Sequence, residues 1–379
     1  MKTLKSFFCI SVAISLLVSC VKVESVPVDI PDGDEENYSF SLQDVARIMS
    51  SLPLQTEHLT EVYNAVNCSS SNGYDEEYTL KDLFENPGSG VGGSETKART
   101  YSNPLRGLIE NYLRESIRTK SGAADVQKYI SSLSESEMQI YWPYSEDWDG
   151  KTLPIVTFDP GYGTESNFGY VLSKGEGGVH VVDSILVTEA LAQTRPVWVI
   201  NRNDDSGFST LKMLSRKTST SSCNKKLILK KFKMLRNYDS WFAGASEFFV
   251  KCGAVDGFTA STEEELQLFK PSITDFLVVV KRKYVGKELD LDCMLMTDFT
   301  DQLDKLAFMI TEDDGGTQTS WKCSASVKIK SKAYGFDIDF PFNSKDDIVW
   351  RGQLSADFFR ETTEVSGRFG DVVTTFALE

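Results

Sequence analysis

The chain has 379 residues, enough for two or three domains, and carries 55 acidic against 40 basic side chains, a formal net charge of −15. A balance this negative argues against binding to nucleic acid, or to an anionic membrane, through the body of the protein. The histidines are only His58 and His180, and HExxH, GxSxG, Walker A and paired CxxC patterns are all missing. No cofactor is therefore expected, and no catalytic residue is singled out by motif.

The N-terminus holds Lys2 and Lys5, then an uncharged run from Phe7 to Val18. A membrane-spanning helix needs about 20 apolar residues, whereas the apolar core of an export signal needs about 7–15. Residues 1–19 read as such a signal, and no later stretch is long and apolar enough to span. Leu17, Val18, Ser19 and Cys20 resemble the bacterial lipobox, which implies that Cys20 becomes an acylated N-terminus and that the protein's membrane partner is reached through it. Each buried CH₂ contributes about 0.8 kcal/mol, so more than one acyl chain anchors stably. Residues 20–38, with Pro27, Pro31, Asp32, Asp34, Glu35 and Glu36, form an acidic tether.

Residues 39–137 carry helical periodicity. Ser41 and Asp44 have capping-box spacing ahead of the stripe Leu42, Val45, Met49, Leu52, and Leu59, Val62, Tyr63 and Val66 make a second stripe. The glycine-rich run from Pro87 to Thr100 reads as a linker. Asn103 as N-cap and Pro104 at the first helical position then open a helix with Leu105, Leu108, Ile109, Tyr112, Leu113 and Ile117 on one face.

At about Met138 the period changes from 3.6 to 2. Residues 138–221 read as a small middle β region, and 222–379 as a β-sandwich of two antiparallel sheets. The fold class expected is therefore α+β, mostly β. In Tyr334–Phe342 the aromatic and aliphatic residues Tyr334, Phe336, Ile338, Phe340 and Phe342 share one face while Asp337 and Asp339 take the other, giving one core face and one wet face. The same parity turns Cys252, Cys293 and Cys323 toward the core as reduced thiols.

Two clusters are candidate sites. Trp142, Tyr144 and Trp148, beside Glu146, Asp147 and Asp149, have the aromatic and carboxylate composition of a sugar-stacking platform. The alternative is a plug at the join between the helical and β parts. Asp313 and Asp314, in the stretch Thr311–Trp321, offer oxygen ligands to Ca²⁺, provided a second acidic loop lies at the same end: Asp298 with Asp301, or Asp204 with Asp205. The alternative there is a plain hairpin turn with Gly315 and Gly316 at positive φ.

The stretches Val197–Asp205, Asn237–Lys251 and Ile310–Asp337 resemble a group of uncharacterised lipoproteins of Bacteroides-type gut bacteria, and the C-terminal part looks like a C2-type β-sandwich. The resemblance implies a cell-envelope lipoprotein. Val21 in place of the aspartate associated with inner-membrane retention points to the outer membrane. The expected function is an anchored binding or structural module for a glycan or an envelope protein. The competing expectation is an envelope hydrolase acting on glycan or peptide. Replacing Cys20 by alanine should release the chain from membranes, as read by fractionation and by loss of the acyl mass; unchanged partition of a non-acylated variant would overturn the anchor.

Overall fold

The computed structural model describes residues 39–85, 104–118, 126–161, 163–175, 178–203 and 225–379. Cys20, the signal-like segment, the tether, the glycine-rich linker, Asn103, Asp204, Asp205 and Cys223 lie outside the described residues.

The N-terminal part begins with α1 (Leu42–Ser51) and α2 (Thr56–Ser71), followed by β1 (Glu77–Thr79), α3 (Leu80–Phe84), α4 (Pro104–Arg118) and α5 (Val126–Ser134). The capping box forms as spaced: the Asp44 amide donates to Ser41 Oγ at 3.1 Å, and the Ser41 amide to Asp44 Oδ2 at 3.0 Å. The start of α4 is held from another helix. The Leu105 amide donates to Glu61 Oε2 at 2.7 Å, and the Tyr78 hydroxyl to Glu61 Oε1 at 2.9 Å. Four amides at a helix start have no partner within the helix, and a buried carboxylate on α2 serves one of them here.

Next come β2 (Met138–Tyr141), β3 (Ile155–Phe158), β4 (Ser166–Gly175), β5 (Gly178–Thr188), α6 (Glu189–Ala192) and β6 (Val197–Arg202). They join β1 in a six-stranded sheet of order β1-β2-β6-β3-β4-β5, with only the β3–β6 pair parallel. The helices and this sheet are not separate domains meeting at residue 137. Val45, Met49, Val62, Leu105 and Leu113 share one core with Ile140, Trp142, Val156, Trp198 and Ile200, and β1, from within the helical stretch, is an edge strand of the sheet. An amphipathic helix must bury its stripe, and the sheet face is what it buries against.

The C-terminal part is antiparallel throughout. β7 (Lys225–Met234), β8 (Ser246–Ala254), β9 (Ser272–Val280), β10 (Leu289–Phe299), β11 (Leu303–Glu312), β12 (Gln318–Ile329), β13 (Lys332–Asn343), β14 (Asp347–Ser355), α7 (Ala356–Arg360), β15 (Glu364–Phe369) and β16 (Val372–Leu378) follow in order. One sheet runs β10-β7-β16-β15. The other runs β9-β8-β11, and β11 then pairs β14 along Lys305–Glu312 but β12 only at Leu303 and Lys305. Between the sheets lie Leu229, Phe232, Phe248, Val250, Leu306, Phe308, Ile310 and Phe376.

The expected wet outer face is only partly wet. The β12–β13 hairpin leaves β11 early and folds over it, so Ile338 and Phe340 pack on Ala307 and Met309. Gly253 makes room, since a Cβ there would stand 2.8 Å from Ile338 Cδ1. Cys252 and Cys293 are buried free thiols and Cys323 is half-buried and free.

Burial raises the Glu61 pKa to about 7, against hydrogen bonds from Leu105 and Tyr78, and raises Glu76 to about 8. A carboxyl with a raised native pKa holds its proton more tightly folded than unfolded, so ionisation lowers stability as pH rises. Stability against urea should fall from about pH 4.5 to 8. Glu61→Gln, whose amide keeps both contacts by donating to the Tyr78 oxygen, should flatten the part of the slope between 4.5 and about 7. An unchanged slope would contradict this account.

Candidate metal centre

β11 ends on Glu312, which lies between Phe248 of β8 and Asp347 of β14. The chain then turns. Gly315 and Gly316 take φ of +68° and +103°, as the hairpin reading requires. The turn is tied to the neighbouring one between β13 and β14: the Asn343 side chain donates to Asp313 Oδ1 at 3.2 Å, Lys345 N to Gly315 O at 3.2 Å, and Asp314 N to Asp346 Oδ1 at 3.4 Å. A third loop, between β7 and β8, brings in Asp239.

Asp239, Glu312 and Asp314 each offer a carboxylate oxygen, and the three atoms lie within 4.8 Å of one another. Asp313 and Asp346 are buried beside them. Glu312 is 1% exposed, and neither of its oxygens accepts a hydrogen bond; Asp313 Oδ2 is likewise buried and unpartnered. Burying a charge without a partner is costly. Burial, and then the Asp239 carboxylate, push Glu312 far above the ordinary carboxylate range. Burial pushes Asp239 up as well, and Asp314 is raised to about 6 by burial and by Asp239, Asp347, Asp346 and Asp313. Arg282 opposes the rise at Asp239, but its guanidinium is held by Glu189, at 2.7 and 3.1 Å.

Oxygen donors alone, with no Cys or His among them, suit a hard divalent cation, and several carboxylates on separate loops suit the flexible six- to eight-fold shell of Ca²⁺. The acidic residues that meet this turn are not those weighed in the sequence. Asp298 and Asp301 precede β11 and sit at its opposite end, roughly 30 Å away along the strand. The loops that converge hold Asp239, Asp346 and Asp347. The runs "NYDSW" and "SKDD", each next to a readable strand, were the available signal; the order of the strands was not.

The aromatic cluster resolves differently. Trp142 is 1% exposed and sits edge-on to Tyr63, Trp148 and Trp198, with centroids at 6.1, 5.3 and 5.8 Å. The half-buried Trp148 donates its indole N–H to Thr152 O at 2.9 Å. Tyr144 donates to Glu189 Oε1 at 2.8 Å. The crevice beside them measures about 60 Å³, far below the roughly 300 Å³ of a ligand pocket. Trp142 and Trp148 pack in the join between helices and sheet, as the plug alternative has it, while Tyr144 packs on the opposite face of the sheet, so the three rings do not share one exposed platform. Comparison with known protein families, with curated proteins and with solved structures finds no match.

Trp142→Ala should cost about 3–5 kcal/mol of stability, the usual loss for a large aromatic removed from a core, in chemical denaturation. A loss below 1 kcal/mol would contradict the burial.

Proposed function

We propose that the chain is a membrane-anchored protein of the cell envelope, held through Cys20, whose C-terminal β unit binds a divalent cation, with Ca²⁺ the best-suited ion. The observation that carries the cation reading is Glu312: a carboxylate 1% exposed, without a hydrogen bond, within 4.8 Å of two other carboxylates contributed by neighbouring loops. A structural carboxylate this deep is expected to have several donors bonded to it, and the side chains nearest Glu312 are other carboxylates, with only the Glu247 amide beside them. A bound cation supplies the missing partner. The anchor rests on the sequence around Cys20 and on the acidic tether behind it.

The hydrolase alternative draws on the same pair, a protonated carboxyl beside a second carboxylate. General acid catalysis requires the acid to reach the substrate. Glu312 has almost no surface with which to do so, which favours the ion.

A ligand bound only by the native state stabilises by about 2.7 kcal/mol at 100 times its Kd. For a unit of 150–250 residues that is a rise in Tm of roughly 5–10 °C. Millimolar Ca²⁺ should produce such a rise, and Mg²⁺ a smaller one because it demands stricter geometry. Glu312→Gln should abolish the response while leaving the ion-free protein at least as stable as before, since one buried ionisable group is removed from the acidic cluster. No Ca²⁺ response in the parent protein would overturn the cation reading.

A further inference from the structure

Asp239 differs from its companions in what holds it. Glu312 and Asp314 stand at the end of β11, inside the C-terminal part. Asp239 belongs to the 235–245 loop, and that loop is seated mainly on the N-terminal part. Trp241 and Phe242 are fully buried against Tyr141, Ile155, Val197 and Val199, on the sheet face opposite the helices. The Asn201 side-chain amide, on β6, donates to Phe242 O at 3.1 Å and Ala243 O at 2.7 Å. Trp241 donates to Glu165 O at 3.0 Å. The Ala245 amide donates to Asp75 Oδ2 at 3.0 Å, past Gly244, where a Cβ would lie 2.6 Å from that oxygen.

On the other side of Asp239, its own carbonyl accepts from Arg282 Nη1 at 3.0 Å, and the same guanidinium grips Glu189 of α6. One residue, Ser240, thus separates a carboxylate of the candidate metal centre from an aromatic buried in the other unit. With an ion, Asp239 is drawn inward to the place the seated loop already gives it.

We infer that cation binding and the docking of the two units are coupled: the ion favours the seated 235–245 loop, and seating of the loop on β6 completes the cation site. This rests on the cation reading above. Because coupling between two equilibria is reciprocal, the factor by which a bound ion favours the seated loop is also the factor by which seating tightens the ion, so a variant that populates the unseated loop binds the ion more weakly.

The test uses Asn201→Ala, which is uncharged, lies on β6 and cuts two hydrogen bonds to the loop without touching a carboxylate. Calorimetric titration of the full chain with Ca²⁺ should show Kd weakened about five-fold or more, at the lower edge of common coupling strengths. Hydrogen exchange on the parent protein gives a second measurement that needs no variant. Ca²⁺ should slow exchange at residues 241–245 and also at 141–144 and 189–193 of the other unit. An unchanged Kd in a folded Asn201→Ala, or slowing confined to the 312–314 turn and its immediate neighbours, would overturn the coupling while leaving the cation site standing. If Asn201→Ala does not fold, the exchange pattern decides alone. A parent protein that binds no Ca²⁺ would overturn the cation reading itself.

Discussion

β6 is covered on both faces, and the architecture follows from that requirement. Trp198 and Ile200 point into the helices; Val197 and Val199 point the other way, onto Trp241 and Phe242. A strand in the middle of a sheet with two apolar faces needs a layer on each side. The helices supply one. The other comes from a loop that is remote in sequence, and it binds the two halves of the molecule together. Large aromatic side chains bury about 150–250 Å² each, so at about 25 cal/mol per Å² the pair contributes on the order of 4–6 kcal/mol per ring, as an upper bound.

Charge is spent at the same seam. The run Lys281, Arg282, Lys283 faces the N-terminal part, where Lys281 meets Glu76 at 3.3 Å, Arg282 meets Glu189 at 2.7 Å and Lys283 meets Glu146. In a chain with a net charge of −15, three adjacent cations on acidic partners are a concentrated use of a scarce resource. Tyr144, singled out in the sequence for its ring, contributes its hydroxyl to this arrangement through Glu189. The aromatic cluster and the acidic turn, which read as two unrelated features along the chain, are therefore joined through Tyr144, Glu189, Arg282 and the Asp239 carbonyl.

What was legible in the sequence was local. The Ser41–Asp44 cap, the start of α4 at Pro104 and the alternation in β13 depend on residues a few positions apart, where spacing and geometry are the same thing. The parity of Met138–Trp142 also held the answer about Trp142: it shares the face of Ile140, which packs on helices, and not that of Tyr141. What was not legible depended on strand order. Nothing near Glu312 in sequence announces Asp239 or Asp346, and nothing in the β12 pattern says that it leaves β11 after two pairs to make a third layer. The break at residue 137 was misleading for a related reason. A change of period marks a change of secondary structure and not a domain boundary, because helices and strands of one domain share a core.

The double covering of β6 has a consequence for the order in which the molecule can be completed. Residues 39–203 are synthesised before the loop that holds Trp241 and Phe242. Until that loop arrives, the face made by Tyr141, Ile155, Val197 and Val199 lacks its two largest covering side chains, Trp241 and Phe242. A nascent chain of this length therefore presents a finished helix–sheet layer with an incompletely covered apolar back. Such a surface is the kind that chaperones bind and that drives misassembly when they are scarce. The completed fold closes that surface with two side chains of the C-terminal part, Trp241 and Phe242.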